Sequence, residues 1–196
     1  MKTTTKGSKT QTEGKGLKGS KTEKNLWTAF AGESQARNKY NFWASKARKD
    51  GLEVVARIFD ETAENEKEHA KLWFKKLDQI VDTYENLLMA AAGEHEEWTD
   101  MYKKFSEVAK QEGFMDLHVQ FANIASIEKH HEERYREYAK KLKNGTLFKC
   151  ASKDPKCVCT WECLNCGFHM ESKDAPQACP ACFHPQGYLK LDNAAD

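Results

Sequence analysis

Apolar residues recur at alternating steps of three and four along four stretches of the chain, which is the spacing of one face of an α-helix. Ser20 followed by Glu23 has the signature of a capping box, so we expect the first helix to begin there. The four stretches cover residues 20–50, 52–77, 87–113 and 117–144. Long helices joined by short turns favour an antiparallel arrangement, so the pattern predicts an all-α four-helix bundle.

Six ionisable residues depart from this pattern because they lie on the apolar side of their own helices. They are Glu33, Glu66, His69, Glu94, Glu128 and His131. Burying an isolated carboxylate is costly, so such a residue needs a partner, a proton or a cation. Arg37 is the only clear basic candidate on these faces. Bound multivalent cations would neutralise these carboxylates on the buried side of the helices. The alternative is that the residues lie at charged helix edges and pair with other residues at the surface.

The spacing of the six residues is that of a dinuclear metal site. A glutamate stands three residues before a histidine in EKEH at 66–69 and in EKHH at 128–131, and residues three apart share a helix face. A single glutamate ends AGE at 31–33 and again at 92–94. The single glutamate precedes the Glu-x-x-His motif by 33 residues in the first copy and by 34 in the second, so the chain is internally duplicated. This is the ligand set of di-iron and di-manganese carboxylate bundles.

Glu97 adds a further carboxylate on the same side of the helix as Glu94, three residues later. Five carboxylates would bring two ferrous or two ferric ions close to neutrality. The alternative for Glu97 is a solvated position at a helix edge.

All seven cysteines follow residue 149, where helical periodicity ends. Four of them form two Cys-x-x-Cys knuckles with the pattern C-x2-C-x12-C-P-x-C: Cys163, Cys166, Cys179 and Cys182. Four thiolates at this separation bind one metal ion tetrahedrally. The spacing does not choose between structural zinc and iron, which would transfer one electron.

Composition narrows the class of protein. The net charge of +1 gives no argument for nucleic acid, and 39% apolar with 31% charged residues indicates a globular chain and no membrane span. The first residues lack the apolar segment of a secretory signal, so we expect a cytoplasmic protein. Residues 1–19 are rich in Lys, Thr, Gly and Ser, which predicts a disordered arm.

Five segments of the chain closely resemble the rubrerythrin family, a ferritin-like di-iron domain fused to a rubredoxin domain. They are FAGESQARNKY, ETAENEKEHAK, AAGEHEEWTDMY, the EKHH helix and CLNCG with CPAC. The expected organisation is a disordered arm (1–19), a ferritin-like di-iron bundle (20–145), a cysteine-containing linker (146–160) and a rubredoxin-like FeS4 domain (161–196).

The resemblance implies that the six ionisable residues on the apolar sides of the helices, together with Glu97, hold two irons, and that the four knuckle cysteines hold one more. It implies that Glu97 and His69 exchange as ligands of one iron during catalysis, and that Tyr40 and Tyr102 lie just outside the ligands. The alternative role for both tyrosines is core packing.

The implied activity is reduction of hydrogen peroxide to water, since two adjacent ferrous ions can each supply one electron. The FeS4 centre would re-reduce the site. Electrons would come from NAD(P)H through a separate rubredoxin reductase, or from a rubredoxin, because the chain has no dinucleotide-binding glycine motif. The family also implies a head-to-tail homodimer.

Two other functions and one departure from the family stay open. The chain could be a ferroxidase or iron-handling protein with structural zinc in its cysteine domain, or a metal-stapled structural module. The departure is the stretch KCASKDPKCVCT, which adds Cys150, Cys157 and Cys159 at the domain junction. We expect spare thiols there; a redox-active pair and alternative metal ligands are the other interpretations.

Overall fold

The computed structural model describes residues 16–150 and 157–192. The chain divides into two compact units, Met1–Val81 and Asp82–Asp196, and each is treated by itself. Most of the expected N-terminal arm, residues 1–15, lies outside the described residues.

The first unit is a hairpin of two long helices, α1 (Lys21–Lys49) and α2 (Glu53–Lys76). Helix α1 begins as expected, because the Ser20 side chain accepts a hydrogen bond from the Glu23 N–H at 3.0 Å. Gly51 turns the chain with a φ of +75°, a conformation that glycine adopts without steric cost. Small residues let the two helices approach closely. The buried alanines are Ala44, Ala47, Ala56, Ala63 and Ala70.

The helices of the second unit form another hairpin, but its first arm is not one regular helix. The third stretch was expected to be continuous; the structure divides it into α3 (Thr83–Glu96), a π-helical segment (Glu97–Met101) and α4 (Tyr102–Gln111). Helix α5 (Met115–Lys143) returns along both. The four predicted helical stretches are confirmed, and the interruption of the third is new.

A small three-stranded sheet follows in the second unit, as the predicted C-terminal domain requires. Strands β1 (Cys159–Cys163), β2 (His169–Ser172) and β3 (Leu189–Leu191) are antiparallel, in the order β2-β1-β3. A 3-10 turn, Gln186–Tyr188, precedes β3. The core of this domain consists of Trp161, Cys163, Ala175, Cys179 and Leu189.

The chain just before this sheet also belongs to the small domain by its contacts. Phe148 packs against the domain core, and its C=O accepts a hydrogen bond from the Ala175 N–H at 2.9 Å. Lys149 forms an isolated antiparallel bridge with Asp174. Strand β1 starts two residues before the expected boundary at residue 161. Among the described helices, none is both long and apolar enough to cross a membrane.

Candidate metal sites

The first hairpin brings together three of the expected ligands. Glu33 comes from α1, and Glu66 and His69 come from α2, with one donor atom of each within 4.8 Å of the others. His69 Nδ1 lies 2.9 Å from Glu66 Oε2. Glu33 and Glu66 are half-buried, whereas His69 stays exposed in this unit. The carboxylate and imidazole donors suit an iron ion.

The second hairpin repeats the cluster with Glu94 from α3 and with Glu128 and His131 from α5, again within 4.8 Å of one another. His131 Nδ1 lies 2.7 Å from Glu128 Oε2 and 3.6 Å from Glu94 Oε2. All three side chains are half-buried. The residues that the spacing placed on one helix face thus lie together in two three-residue clusters, here called the first and second triads.

The carboxyl groups of the triads are held in an unfavourable environment. Burial, followed by hydrogen bonding and charge repulsion from Glu66, raises the pKa of Glu33. Burial, followed by the same two effects from Glu128, raises the pKa of Glu94. Arg37 does not relieve this crowding directly, because its guanidinium approaches Glu64 at 3.9 Å, a residue off the ligand face. A cation between the donors would remove the repulsion, so the donor sets fit bound iron.

Glu97 lies outside the second triad but acts on it electrostatically. It is half-buried and is the first residue of the π-helical segment. Its negative charge contributes to the raised pKa of Glu94. Burial is the largest cause of the raised pKa of Tyr102, followed by the charges of Glu97, Glu128 and Glu94. Glu97 and Tyr102 are thus close enough to the triad to influence it, and their roles stay predictions.

Tyr40 lies among aromatic side chains in the first hairpin. Its ring centroid is 5.6 Å from that of Trp43 and 6.2 Å from that of Phe59. These contacts are those of a packing residue. A role for Tyr40 beside the metal ligands stays a prediction.

Sequence reasoning missed Glu132, the most heavily hydrogen-bonded carboxylate of α5. Its Oε2 accepts hydrogen bonds from Trp98 Nε1 at 2.6 Å and lies 2.9 Å from His95 Nδ1, while its Oε1 accepts one from Arg136 Nε at 2.6 Å. Burial would raise the pKa of Glu132, but the hydrogen bonds from Trp98, Arg136 and His95 outweigh it and lower the pKa to about 2. The available signal was its position four residues after Glu128, still on the apolar face.

The four knuckle cysteines converge as predicted, with their Sγ atoms within 4.8 Å of one another. Cys163 Sγ is 3.7 Å from Cys182 Sγ, and Cys166 Sγ is 3.8 Å from Cys179 Sγ. A tetrahedral ion with metal–sulfur bonds of about 2.3 Å requires sulfur–sulfur edges of about 3.8 Å. The distances therefore fit one tetrahedral metal ion, and the fit holds for iron and for zinc alike.

The two knuckles also share a backbone turn, in which a residue of positive φ follows the second cysteine. Gly167 and Phe183 follow the second cysteine of their knuckles with φ of +73° and +59°. Their N–H groups donate to the C=O of Cys163 at 2.8 Å and of Cys179 at 2.9 Å. One residue further on, the His184 N–H lowers the pKa of Cys182. Backbone donors of this kind stabilise thiolate, the form that binds metal.

The three additional cysteines do not all remain thiols. Cys150 and Cys159 form a disulfide, and Cys157 is free. The expectation of spare thiols is therefore wrong for Cys150 and Cys159. The disulfide forms because residues 148–150 pair through their backbone with residues 173–175, which brings Cys150 next to the start of β1. The sequence pattern does not reveal this pairing.

Two glutamate–histidine triads on helical hairpins, followed by a four-cysteine cluster in a small sheet domain, define a ferritin-like di-iron protein joined to a rubredoxin-like domain. The sequence comparisons agree with this class. The profile of the family described as Rubrerythrin matches residues 24–139, and the profile of the rubrerythrin rubredoxin-like domain matches residues 161–190. The chain belongs to the rubrerythrin family.

Named relatives match along nearly the whole chain. Rubrerythrin from Porphyromonas gingivalis is 47% identical, with 90% of this chain and 92% of the relative covered. Rubrerythrin from Nitratidesulfovibrio vulgaris is 45% identical, with 90% and 97% covered. A solved structure of mixed-valence nigerythrin is 29% identical and covers 89% of this chain and 90% of its own, with a TM-score of 0.33. The sequence matches carry the family assignment, and the superposition adds nothing to it.

Proposed function

We propose that this protein is a peroxidase that reduces hydrogen peroxide to water at a di-iron carboxylate site and is re-reduced through an FeS4 centre. The observation that supports it most is the presence of two equivalent ligand triads and a four-cysteine cluster in one chain. A two-electron acceptor such as peroxide needs a pair of one-electron donors. A one-electron centre in the same chain would then refill them.

The proposed ligands of the two irons are the two triads together with Glu97: Glu33, Glu66, His69, Glu94, Glu97, Glu128 and His131. The irons, when bound, supply the two electrons for peroxide reduction. The protein supplies five carboxylates to balance their charge. Glu97 and His69 are proposed to exchange as ligands of one iron, and His69 is suited to this because its side chain is 56% exposed in its own hairpin.

A hydroxyl beside the second triad can interact with the oxygen atoms of the substrate. The phenol of Tyr102, whose pKa is raised above its ordinary value of 10.0, is protonated at neutral pH, so its hydroxyl can donate a hydrogen bond toward an oxygen atom of the substrate. We assign Tyr102 and Tyr40 as residues that orient the ligands and substrate.

The four thiolates of Cys163, Cys166, Cys179 and Cys182 would hold the third iron and pass electrons singly. We propose that an NAD(P)H-dependent rubredoxin reductase or a rubredoxin provides these electrons. A head-to-tail homodimer would place the FeS4 centre of one subunit near the di-iron site of another. We also propose a cytoplasmic location, because the electrons would come from NAD(P)H.

The decisive experiment separates the di-iron reaction from its electron supply. Cys163→Ser should abolish steady-state peroxide turnover fed by an external reductase, because the thiolate site is broken. The pre-reduced variant should still undergo one rapid oxidation by peroxide in anaerobic stopped flow. Cys157→Ser, which alters a thiol outside the four-cysteine cluster, is the matched control and should behave as wild type. Full turnover by Cys163→Ser would contradict the proposed electron route.

A ferroxidase with structural zinc is the second candidate, because the sulfur–sulfur distances fit zinc as well as iron. A visible spectrum of the purified protein distinguishes the two functions, since ferric FeS4 absorbs strongly in the visible and zinc is colourless. The relative rates with peroxide and dioxygen provide a second test. Faster oxidation of the reduced protein by dioxygen than by peroxide would favour the ferroxidase.

A further inference from the structure

We propose that Cys150 and Cys159 form a reversible dithiol–disulfide site on the small domain, with hydrogen peroxide as the oxidant. The pair lies outside the four-cysteine cluster, which is made of different residues. Nothing in the proposed peroxide reaction requires this pair. The proposal for this cysteine pair is therefore independent of the proposed di-iron chemistry.

Both cysteines are held next to one short segment by backbone contacts that do not involve sulfur. The Cys150 N–H donates to the Lys173 C=O at 2.8 Å. Cys159 pairs with Ser172 in the ladder between β1 and β2. The two cysteine Cα atoms are consequently 5.6 Å apart, within the range that disulfides span.

Phe148 anchors the segment that carries Cys150. Its side chain packs against the core around Trp161, and its C=O accepts the hydrogen bond from Ala175. These contacts would persist in the reduced protein, so the two thiols would remain neighbours. Preorganised neighbours form a disulfide with each other in preference to mixed disulfides with small thiols.

The chemistry balances with one peroxide molecule. One thiol loses its proton, and the thiolate attacks a peroxide oxygen, giving a sulfenic acid and a hydroxide that takes up that proton as water. The second thiol then attacks the sulfenic sulfur, forming the S–S bond and releasing a second water. The two sulfurs supply both electrons. Two equivalents of an external thiol such as glutathione reverse the reaction. Cys157, a free and half-buried thiol two residues before Cys159, is the natural competitor for pairing.

The test uses the full-length, iron-loaded protein, reduced anaerobically and treated with several equivalents of peroxide, so that oxidant remains after the irons are oxidised, before alkylation and peptide mapping. Peptides linked through Cys150 and Cys159, with Cys157 alkylated, are the expected result. Cys157→Ser should give the same linkage. Recovery of Cys150 and Cys159 as alkylated thiols, or linkage of either one to Cys157, would overturn the proposal.

Phe148→Ala tests the anchoring step without touching a sulfur atom. We expect the equilibrium constant for disulfide formation against glutathione to fall at least about tenfold, because Cys150 loses its fixed position. Val158→Ala, an exposed change directly beside Cys159, is the control and should leave the constant unchanged. Equal constants for wild type and Phe148→Ala would show that backbone anchoring does not determine the pairing.

A second inference rests on different contacts and on the proposed role of Glu97 as a ligand. We infer that Glu132 is a positioning residue that holds Glu97 through the π-helical segment. Glu132 is only 7% exposed, and two of its donors, His95 and Trp98, stand on either side of Glu97 in the chain. A single carboxylate on α5 thus clamps the turn from which Glu97 projects.

A carboxylate suits this task because it accepts several hydrogen bonds at once and its charge strengthens each of them. Arg136, one turn along α5, provides the balancing positive charge. Lys129 lies over the Trp98 ring with its Nζ 5.7 Å from the ring centroid, which further restrains that side chain. The network therefore fixes the second residue of the π-helical segment from two directions.

Glu132→Gln is the informative variant, with the exposed neighbour Glu133→Gln as its control. The glutamine keeps the size of the side chain but loses the charge. We expect Glu132→Gln to retain its iron and its helix content, and to show amide exchange in residues 97–102 at least about tenfold faster than wild type. Its diferrous Mössbauer spectrum should shift toward that of Glu97→Gln, whereas Glu133→Gln should match wild type.

Two outcomes are distinguishable. A lower unfolding temperature with unchanged exchange and an unchanged spectrum would show that Glu132 merely stabilises the fold, which overturns the inference. A Glu97→Gln protein with the wild-type spectrum would instead contradict the assignment of Glu97 as a ligand, and with it that part of the proposed function.

Discussion

The two helical hairpins carry equivalent triads but differ by one residue in the arm that supplies the single glutamate. Glu33 corresponds to Glu94, an offset of 61 residues, whereas Tyr40 corresponds to Tyr102 at an offset of 62. The additional residue of the second hairpin therefore lies between Glu94 and Tyr102. The π-helical segment Glu97–Met101 occupies this interval, and a π-helical turn accommodates one more residue than an α-helical turn.

The remainder of the two arms stays in register, which supports this interpretation. Both turns use a glycine of positive φ, Gly51 at +75° and Gly113 at +86°, again 62 residues apart. The hydrogen bond from the Leu52 N–H to the Ala47 C=O, at 2.9 Å, has its counterpart from the Phe114 N–H to the Ala109 C=O at 2.8 Å. The irregularity is thus confined to the segment that carries Glu97.

Two similar hairpins therefore offer unequal sets of donor groups. The first hairpin offers its triad from two regular helices, while the second offers its triad and a further half-buried carboxylate from an irregular turn. At the position of Glu132 the first hairpin has the buried Ala70, 62 residues earlier. The clamp on the irregular turn therefore occurs in one hairpin only.

The largest expected effect comes from removing the additional carboxylate. Glu97→Gln should lower steady-state turnover of peroxide by about 10–100-fold while the iron content of the purified protein stays unchanged, because the triads still bind metal. Glu96→Gln changes an exposed neighbour of the same type and should leave turnover unaffected. Equal losses in the two variants, or none in Glu97→Gln, would mean that Glu97 is an ordinary helix-edge residue.

A deletion tests whether the additional residue causes the π-helical segment. Removing Asp100, an exposed residue paired only with Lys104 among the contacts described for it, gives the second arm the length of the first. We expect a continuous α-helix, with stability lower by about 1–3 kcal/mol because the turn that presents Trp98 to the buried Glu132 carboxylate is rebuilt. Turnover should fall about tenfold because Glu97 is reoriented. Circular dichroism, thermal unfolding and a peroxide assay measure these quantities.

The converse change provides the control for that deletion. Inserting one alanine after Asn38 gives the first arm the length of the second, and amide exchange should then reveal a weakened turn near Tyr40. A regular first arm after the insertion, or a persistent π-helical segment after the deletion, would show that the additional residue does not cause the π-helical segment.

This comparison also shows where sequence reasoning succeeds and where it stops. The stripes of apolar residues predicted the helices and both triads, because helix faces depend on local periodicity. The separations of 33 and 34 residues already contained the additional residue, but a difference of one residue is also what a longer loop would produce. Locating the difference needed the backbone. The disulfide and the Glu132 clamp depend on contacts between distant segments, which local patterns do not encode.

A smaller effect should appear in the pH dependence of the metal-free protein, with the same sign in both hairpins. The pKa values of Glu33 and Glu94 are raised, mainly by burial, so the folded protein binds these protons more tightly than the unfolded chain. Stability must then decrease as pH rises above the ordinary carboxyl value of 4.5 and through the raised values. Chemical denaturation of metal-free protein should show greater stability at pH 5 than at pH 7.5.

Glu33→Gln and Glu94→Gln should each remove part of that dependence and stabilise the metal-free protein at neutral pH. Glu132 has the opposite sign, since its lowered pKa of about 2 makes its contribution disappear only below about pH 4.5. Measurements above pH 5 therefore exclude Glu132, and comparison with the two glutamine variants identifies the part of the dependence that comes from Glu33 and Glu94. If only one glutamine variant changed the slope, the electrostatic equivalence of the hairpins would be lost.

The smallest effect concerns the two cysteine knuckles, which are the other repeated pair in the molecule. Both knuckles have the same backbone conformation after the second cysteine, but the residue there is Gly167 in one and Phe183 in the other. Phe183 adopts the left-handed conformation that Gly167 adopts in the first knuckle, and its side chain is 81% exposed, so packing offers little compensation. Phe183→Gly should stabilise the domain by about 1 kcal/mol, and Gly167→Ala should destabilise it by a similar amount. Thermal unfolding of the metal-loaded protein measures both. Destabilisation by Phe183→Gly would mean that the exposed ring makes contacts on a partner surface, and the two knuckles would then differ in role as the two hairpins do.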